Sequence, residues 1–443
     1  MKNVLLSVAM LLCTVTLSAQ NISDFEKVTY TPTEANMKAR AQFQDNKFGI
    51  FLHWGIYSML ANGEWALELE KLNAQEYAKL AKGFYPSQFN AHDWVAAIKE
   101  SGAKYITITT RHHDGFSMFG TKYSDFNIVN GTPFKRDILK ELADECHKQG
   151  ITINFYYSLL DWTRTDYPLG ESGRKNGRVT DKQDYDSYIQ FMKNQLTELL
   201  TNYGPIGCIW FDGWWDHKRD ATPFDWRLRE LYTLIHKLQP SCLVANNHHI
   251  VPFSGEDVQV FERDLPGENL GGFSAGQKVS QALPLETCQT MNGMWGYKIM
   301  DLNYKTTKQL VQYVVKAAGK NANLLMNIGP QPDGELPDSA LVRLHEMGEW
   351  FKVYGYTIYG TRGGLVAPHD WGVTTQKDNK LYVHVMSCSD KSLFIPLNAN
   401  ISKAVVFKNG SPVTFKRVAN GTILQFPEVP NDIDYVVELT IKK

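Results

Sequence analysis

The 443-residue chain carries almost no net charge, few cysteines and no regularly spaced histidines, and each shortage removes a class of function. Its 46 basic residues are matched by 47 acidic ones, without a basic block to neutralise a phosphate backbone, so no nucleic-acid partner is expected. The cysteines are widely scattered. With Cys13 set aside, those at 146, 208, 242, 288 and 388 are odd in number and make no disulfide framework; most are expected to be small buried hydrophobes. No His-x-His or His-x-x-x-His repeat supplies a ready-made metal triad.

The N-terminal apolar stretch over 4–17, broken only by Ser7, Thr14 and Thr16, is too short to be read as a membrane span. Lys2 ahead of it and Leu17-Ser18-Ala19 behind it make residues 1–19 a signal peptide, cleaved after Ala19. Leu12 before Cys13 is too bulky for a lipid-anchor site. The chain is therefore expected to be exported, to a periplasm or outside the cell, with no stable membrane insertion.

Aromatic side chains are plentiful: 11 Trp, 21 Tyr and 22 Phe make up 12 % of the chain. Sugar rings stack their apolar faces on such groups while their hydroxyls seek polar partners, although a large aromatic core gives the same count. Order along the chain is more telling. Short apolar runs end repeatedly in polar and aromatic clusters: Phe48–Leu52 before His53-Trp54-Gly55, 105–110 before Arg111-His112-His113, 151–157 before Ser158, 208–211 before Asp212, then 243–248, 256–262 and 323–328. Helical patterns at 73–81, 93–101, 137–149, 181–203, 223–238, 306–318 and 339–354 separate them, with Gly150 as a C-cap. This alternation predicts a (β/α) TIM-like barrel over 20–355 with its site on the C-terminal face; a doubly wound open sheet has the same pattern. From about residue 356 to 443, short strands split by Gly, Pro and Asn predict a small C-terminal antiparallel beta sandwich, without a carboxylate and histidine cluster.

The strand ends and following loops gather His53, Glu64, Trp65, His112, His113, Tyr157 and Asp212, with the later acids Glu256, Asp257, Glu262, Asp264, Glu268 and Glu286. Carboxylates with histidines allow a metal-assisted hydrolase or a glycosidase, in which one carboxylate attacks or activates water and a protonated one assists departure. The metal reading weakens because His112 and His113 are adjacent: in a regular strand they point to opposite faces. The surrounding Trp and Tyr suit a sugar.

The segments Phe51-Leu52-His53-Trp54-Gly55, Gly63-Glu64-Trp65, Arg111-His112-His113-Asp114-Gly115-Phe116, Tyr156-Tyr157-Ser158, Trp210-Phe211-Asp212-Gly213, Glu286-Thr287-Cys288 with Trp295-Gly296-Tyr297, and Asn323-Leu324-Leu325-Met326-Asn327-Ile328-Gly329-Pro330 together resemble the ordered motifs of the alpha-L-fucosidases of glycoside hydrolase family 29. The resemblance implies a retaining, exo-acting enzyme that needs no cofactor and acts on terminal alpha-L-fucose of an oligosaccharide or glycan. Asp212 is then the nucleophile, and His53, Trp65, His112, His113, Tyr157 and Trp295 bind the sugar. Glu64 either bonds it or orients a histidine. The acid/base is Glu262, with Glu286 as the alternative; Val260-Phe261 stands where many members read Thr-Pro, and Leu285 where some read Trp. Whichever glutamate acts needs a raised pKa. The excursion over 163–179, with Arg164, Arg174 and Arg178, is expected at the rim or as a lid on the leaving-group side. Two rival functions are a non-catalytic fucose-binding protein and a glycosidase for a related sugar such as alpha-L-galactose.

Overall fold

Almost every residue of the first eight strands is buried, as parallel strands are when helices cover one face and packed side chains fill the other. These are β1 (Phe48–Leu52), β2 (Tyr105–Arg111), β3 (Thr152–Ser158), β4 (Cys208–Asp212), β5 (Leu243–Asn246), β6 (Gln259–Glu262), β7 (Leu285–Thr290) and β8 (Ala322–Ile328). They pair in parallel in the order β5-β4-β3-β2-β1-β8-β7-β6. An Ala245–Val258 bridge closes the seam between β5 and β6, where the Asp257 amide donates to the Val244 carbonyl and the Val244 amide to the Asp257 carboxylate, each at 2.8 Å. The computed structural model, which describes residues 29–442, is thus a nearly closed (β/α) barrel and not an open sheet. The signal-peptide segment, 1–19, lies outside the described residues.

Side chains alternate between two cores. Phe51, Tyr105, Tyr156, Trp210, Cys288 and Leu325 fill the barrel interior. Ile50, Ile106, Phe155, Tyr157, Ile209 and Phe211 face the surrounding helices. Helix α1 (Glu34–Asn46) precedes β1 and sets Phe43 against Tyr105, ring centroids 5.3 Å apart, while the Asn323 amide donates to the Phe43 carbonyl at 2.6 Å.

The outer helices are α2 (Ala91–Glu100), α3 (Ile138–Gln149), α4 (Tyr185–Asn202), α5 (Leu228–Leu238), α6 (Thr307–Gly319) and α7 (Asp338–Tyr354). Asn90, Asp137 and Asp184 accept first-turn amides as N-caps, each contributing about 1 kcal/mol. Gly150, at φ 75°, ends α3 as expected. Helix α5 starts five residues later than its pattern suggested, after Arg227 in the left-handed region. Strand β7 is the element the sequence reading lacked.

Beyond α7 the chain turns antiparallel through β9 (Arg362–Gly363), β10 (Gly372–Lys377), β11 (Lys380–Val385), β12 (Ser392–Ile395), β13 (Ile401–Val406), β14 (Thr414–Val418), β15 (Gly421–Gln425) and β16 (Tyr435–Ile441). They form a five-stranded sheet, β13-β16-β11-β10-β9, and a three-stranded one, β12-β15-β14. Leu381, Val383, Ile395, Leu424, Val437 and Leu439 build their common core. Contact with the barrel runs through Val373, Tyr382 and Val436, which join the barrel's outer core, and through Gln312 donating to the Ile433 carbonyl at 2.9 Å. Among the described residues no helix is long and apolar enough to cross a membrane, and the cysteines are free, four of them buried.

Candidate active site

The C-terminal strand ends open into a pocket of about 790 Å³. Phe51, Tyr156, Trp210 and Cys288, all buried, contribute inward-facing barrel residues to its lining. Asp212 is the last residue of β4 and sits on the pocket wall with 15 % of its side chain exposed. Its Oδ2 accepts the Tyr156 hydroxyl at 3.0 Å and lies 3.5 Å from Nε2 of His113. Oδ1 accepts the Gly213 amide at 2.8 Å and the Asn247 amide at 3.4 Å. Gly213, at φ 99°, turns the chain sharply after the strand, in a conformation that side chains resist. Burial alone would raise the Asp212 pKa. The hydrogen bond and charge of His113, the charge of His249 and the Gly213 amide outweigh it and hold the carboxyl below its ordinary value, so it is ionised at neutral pH.

The glutamates separate clearly. Glu262 ends β6 on the pocket wall, also 15 % exposed, and its Oε2 accepts from Asn247 at 2.8 Å and faces His249 Nε2 at 3.1 Å. One Asn247 nitrogen therefore serves both Asp212 and Glu262. Lying 3.4 and 2.8 Å from one nitrogen, the two oxygens are at most about 6 Å apart, which is compatible with the close spacing of a retaining pair. Glu286 sits deeper in the barrel: Tyr105 donates to one oxygen at 2.6 Å and Trp210 Nε1 to the other at 2.9 Å, and it is absent from the pocket lining. Burial pushes its pKa up to about 7 against those two hydrogen bonds. A raised pKa without access to the pocket does not make an acid catalyst, which corrects the Glu286 alternative. Three further acids are engaged elsewhere. Glu256 meets His248 and Tyr232, Asp257 holds the barrel seam with Arg40 and His236, and Glu268 pairs with Lys320.

Opposite this pair lie the sugar-binding candidates. His53 Nδ1 is 2.7 Å from Oδ1 of Asn327, whose amide nitrogen donates to the Trp295 carbonyl at 2.7 Å. That second bond fixes the amide orientation, so His53 Nδ1 is the donor and Nε2 is left as an acceptor. Burial lowers the His53 pKa to about 3, more than the Asn327 bond restores, so the ring stays neutral. His112 lines the pocket with its Nδ1 unpartnered among the described residues, and burial, then the charges of His113 and His53, keep it neutral too. Glu64 also lines it, Oε2 accepting the Gly296 amide at 2.7 Å; a Cβ on Gly296 would lie 2.8 Å from the Glu64 nitrogen, so only glycine permits this approach. Burial raises the Glu64 pKa. Trp65 stacks on Trp215 at 5.4 Å and meets His113 edge-on at 5.7 Å, while Trp295 stands 5.2 Å from His53.

Three expectations change. Tyr157 does not reach the pocket: its hydroxyl donates to Gln195 on α4 at 2.8 Å, and the Arg111 guanidinium lies 4.6 Å above its ring. In the β3–β4 register Ser158 pairs with Asp212 and Tyr156 with Trp210, so alternation puts Tyr156 inward and Tyr157 among the helices. His113 sits behind the pocket wall, its Nδ1 2.7 Å from the Ser158 hydroxyl. Both adjacent histidines still face the same region because β2 loses its regular register between Thr109 and Arg111 and ends before them. The excursion is no free lid either: Asp216 accepts the Ser172 amide and the Tyr167 hydroxyl, each at 2.7 Å. Arg164 pairs with Asp166, Arg178 donates to the Asp161 and Arg164 carbonyls, and Arg174 stands exposed off the pocket. Glu171, Lys218 and Arg219 reach the mouth in their place.

A family model described as alpha-L-fucosidase matches residues 17–356. The chain belongs to the alpha-L-fucosidase family. Among its relatives, the plasma alpha-L-fucosidase of Homo sapiens is 28 % identical, covering 90 % of this chain and 89 % of the human one. The structure of alpha-L-fucosidase isoenzyme 1 from Paenibacillus thiaminolyticus matches at TM-score 0.83 and 33 % identity, covering 92 % of this chain and 100 % of that one. A trapped covalent intermediate of a GH29 alpha-L-fucosidase from Bacteroides thetaiotaomicron, in complex with 2-fluoro-fucosyl fluoride, matches at TM-score 0.79 and 26 % identity, covering 94 % and 98 %.

Within this fucosidase frame, Tyr156, Asn247 and His249 are the contacts of the carboxylate pair that sequence reasoning passed over. A signal for Asn247 was present, since it immediately follows the end of β5 and polar residues at strand ends were the criterion for the others. Among the described residues, the one group of three acids and histidines close enough to share an ion, Glu100, His345 and Glu349, is exposed and lies off the pocket.

Proposed function

We infer that the chain is a retaining, exo-acting alpha-L-fucosidase in which Asp212 is the nucleophile and Glu262 the acid/base. The observation that carries this is the shared Asn247 amide, which ties an ionised aspartate and a glutamate at the strand ends into one unit facing the pocket. Asp212 attacks C1 of a terminal fucose while Glu262 gives a proton to the departing oxygen. Water, deprotonated by the same glutamate, then releases fucose from Asp212 with the original configuration restored. Tyr156, His113 and Gly213 steady the Asp212 carboxylate before attack. His53, with its acceptor nitrogen, and His112, on the same pocket lining, meet the sugar hydroxyls beside Glu64. Trp65 and Trp295 offer apolar faces to the ring.

The substrate is a fucosylated oligosaccharide or glycan, whose remaining part leaves through the mouth beside Lys218, Arg219 and Phe273. Export after removal of residues 1–19 belongs to the same reading. N-terminal sequencing of the protein recovered outside the cytoplasm is expected to start at Gln20, and a start at Met1 would refute it.

Incubation with 2-deoxy-2-fluoro-fucosyl fluoride, followed by peptide mass spectrometry, tests the chemistry. One fucosyl adduct per chain on the peptide holding Asp212 is expected. An adduct on another carboxylate would move the nucleophile, and an active enzyme that formed none would contradict the covalent route.

A further inference from the structure

The acid/base carboxylate is bracketed by two non-glycine residues in left-handed backbone, His249 at φ 62° and Arg263 at φ 58°. That conformation suits Gly and Asn, and its use by other residues at a reacting group calls for a reason. At Arg263 it turns the chain immediately after Glu262, where the Arg263 amide reaches the Cys288 carbonyl at 2.8 Å and the guanidinium lies 5.1 Å above Trp295. At His249 it parts two adjacent histidines. His248 turns away to Glu256, its Nε2 3.0 Å from both carboxylate oxygens, while His249 points Nε2 at Oε2 of Glu262, 3.1 Å away. Phe273, 5.4 Å from the His249 ring, flanks it on the mouth side.

Both contacts to the Glu262 carboxylate fall on one oxygen. Asn247 and His249 converge on Oε2, and no described residue hydrogen-bonds to Oε1. We propose that His249 is a positioning residue for the acid/base: its Nε2–H, together with the Asn247 amide, occupies Oε2 and leaves the transferable proton on Oε1, toward the leaving group. This rests on the reading of Glu262 as acid/base. As the C1–O bond breaks, its electron pair stays with the leaving oxygen, which takes the Oε1 proton, while an Asp212 oxygen bonds to C1. The Glu262 carboxylate so formed keeps both donors on Oε2, and its free Oε1 takes the proton from the incoming water as Asp212 is displaced.

The test is the leaving-group dependence of kcat/KM for His249→Gly and His249→Asn, both compatible with the left-handed backbone, beside Glu262→Ala. The substrates run from alkyl alpha-L-fucosides, which need a proton on departure, to the 2,4-dinitrophenyl fucoside, which does not. The His249 variants are expected to lose about 30-fold on alkyl fucosides and less than about threefold on the activated one, steepening the dependence on leaving-group pKa. An equal loss across the series would make His249 merely structural, and an unchanged series would remove it from the reaction; either overturns the proposal. The Glu262→Ala arm separates the two failures. If that variant also lacks leaving-group dependence, the acid/base reading itself fails; if it shows the dependence and the His249 variants do not, only this inference does.

Discussion

At the barrel mouth His113 lies 3.5 Å from Asp212; in the C-terminal sheet His384 on β11 lies 2.8 Å from Asp434, just ahead of β16. The second pair was not expected, because the short C-terminal strands read as lacking any carboxylate and histidine cluster. His384 is wholly enclosed, with Nδ1 on Asp434 and Nε2 3.0 Å from the Thr375 hydroxyl, which in turn donates to the Thr357 carbonyl. Asp434 is buried as well. Asp212 is as heavily bonded but keeps part of its carboxylate open to the pocket, as does Glu262 beside it. A histidine–carboxylate contact alone therefore says nothing of chemistry. One pair is closed on every side within the C-terminal sheet; the other has a free side facing the pocket.

Breaking each pair separates these roles. Asp212→Gly is expected to lower kcat/KM on an aryl alpha-L-fucoside by about 10⁴-fold or more with a thermal midpoint close to wild type, because the nucleophile is lost at a partly exposed position. His384→Ala should do the reverse, costing about 3 kcal/mol in denaturant unfolding by leaving Asp434 buried without its partner, while kcat of the folded protein stays unchanged. A large loss of kcat in His384→Ala, measured where it is fully folded, would undo the contrast.

The neighbouring tyrosines sharpen it. Tyr156→Phe removes a hydrogen bond to the nucleophile and is expected to lower kcat about tenfold. Tyr157→Phe leaves Oε1 of Gln195 without its donor behind the barrel wall and should cost about 1 kcal/mol of stability, with turnover unaffected. Steady-state kinetics and unfolding curves on the two variants check this, and exchanged phenotypes would reverse the assignment.

The smallest effect concerns Glu286. Its carboxyl is raised from 4.5 to about 7 in the folded protein, so between those values the folded state holds a proton that the unfolded state has released. That stabilisation is complete below the unfolded value and fades as pH rises through the folded one. Glu286→Gln, which mimics the protonated acid, should keep turnover within about threefold of wild type and flatten the decline of thermal midpoint between about pH 5 and pH 7.5. An unaltered pH dependence would contradict the buried, protonated state.

The barrel was legible because its strands are short apolar runs that end in polar groups, and burial on both faces enforces that pattern. Strand β7 was not: its sequence, Leu-Glu-Thr-Cys-Gln-Thr, has no such run, since Glu286 and Cys288 take the inward positions. Asp212 stood out because its strand stops at it. Tyr156 and Tyr157 were indistinguishable because register, which comes from pairing with β4, decides which one faces inward. Glu262 and Glu286 both sit on barrel strands, and only depth tells them apart: one ends its strand at the pocket and the other lies a strand layer below, under Tyr105 and Trp210. His249 was hidden because its aim depends on a left-handed backbone that its residue type does not advertise.

The pairing of Asp212 with Glu262 is tested most directly by the stereochemistry of azide rescue. With an activated aryl alpha-L-fucoside and added azide, Glu262→Ala still forms the fucosyl-enzyme, so azide attack on it should restore rate and give the alpha-fucosyl azide; Asp212→Gly, displaced directly, should give the beta azide. Rescue of Glu286→Ala to the alpha azide, with none for Glu262→Ala, would contradict the account.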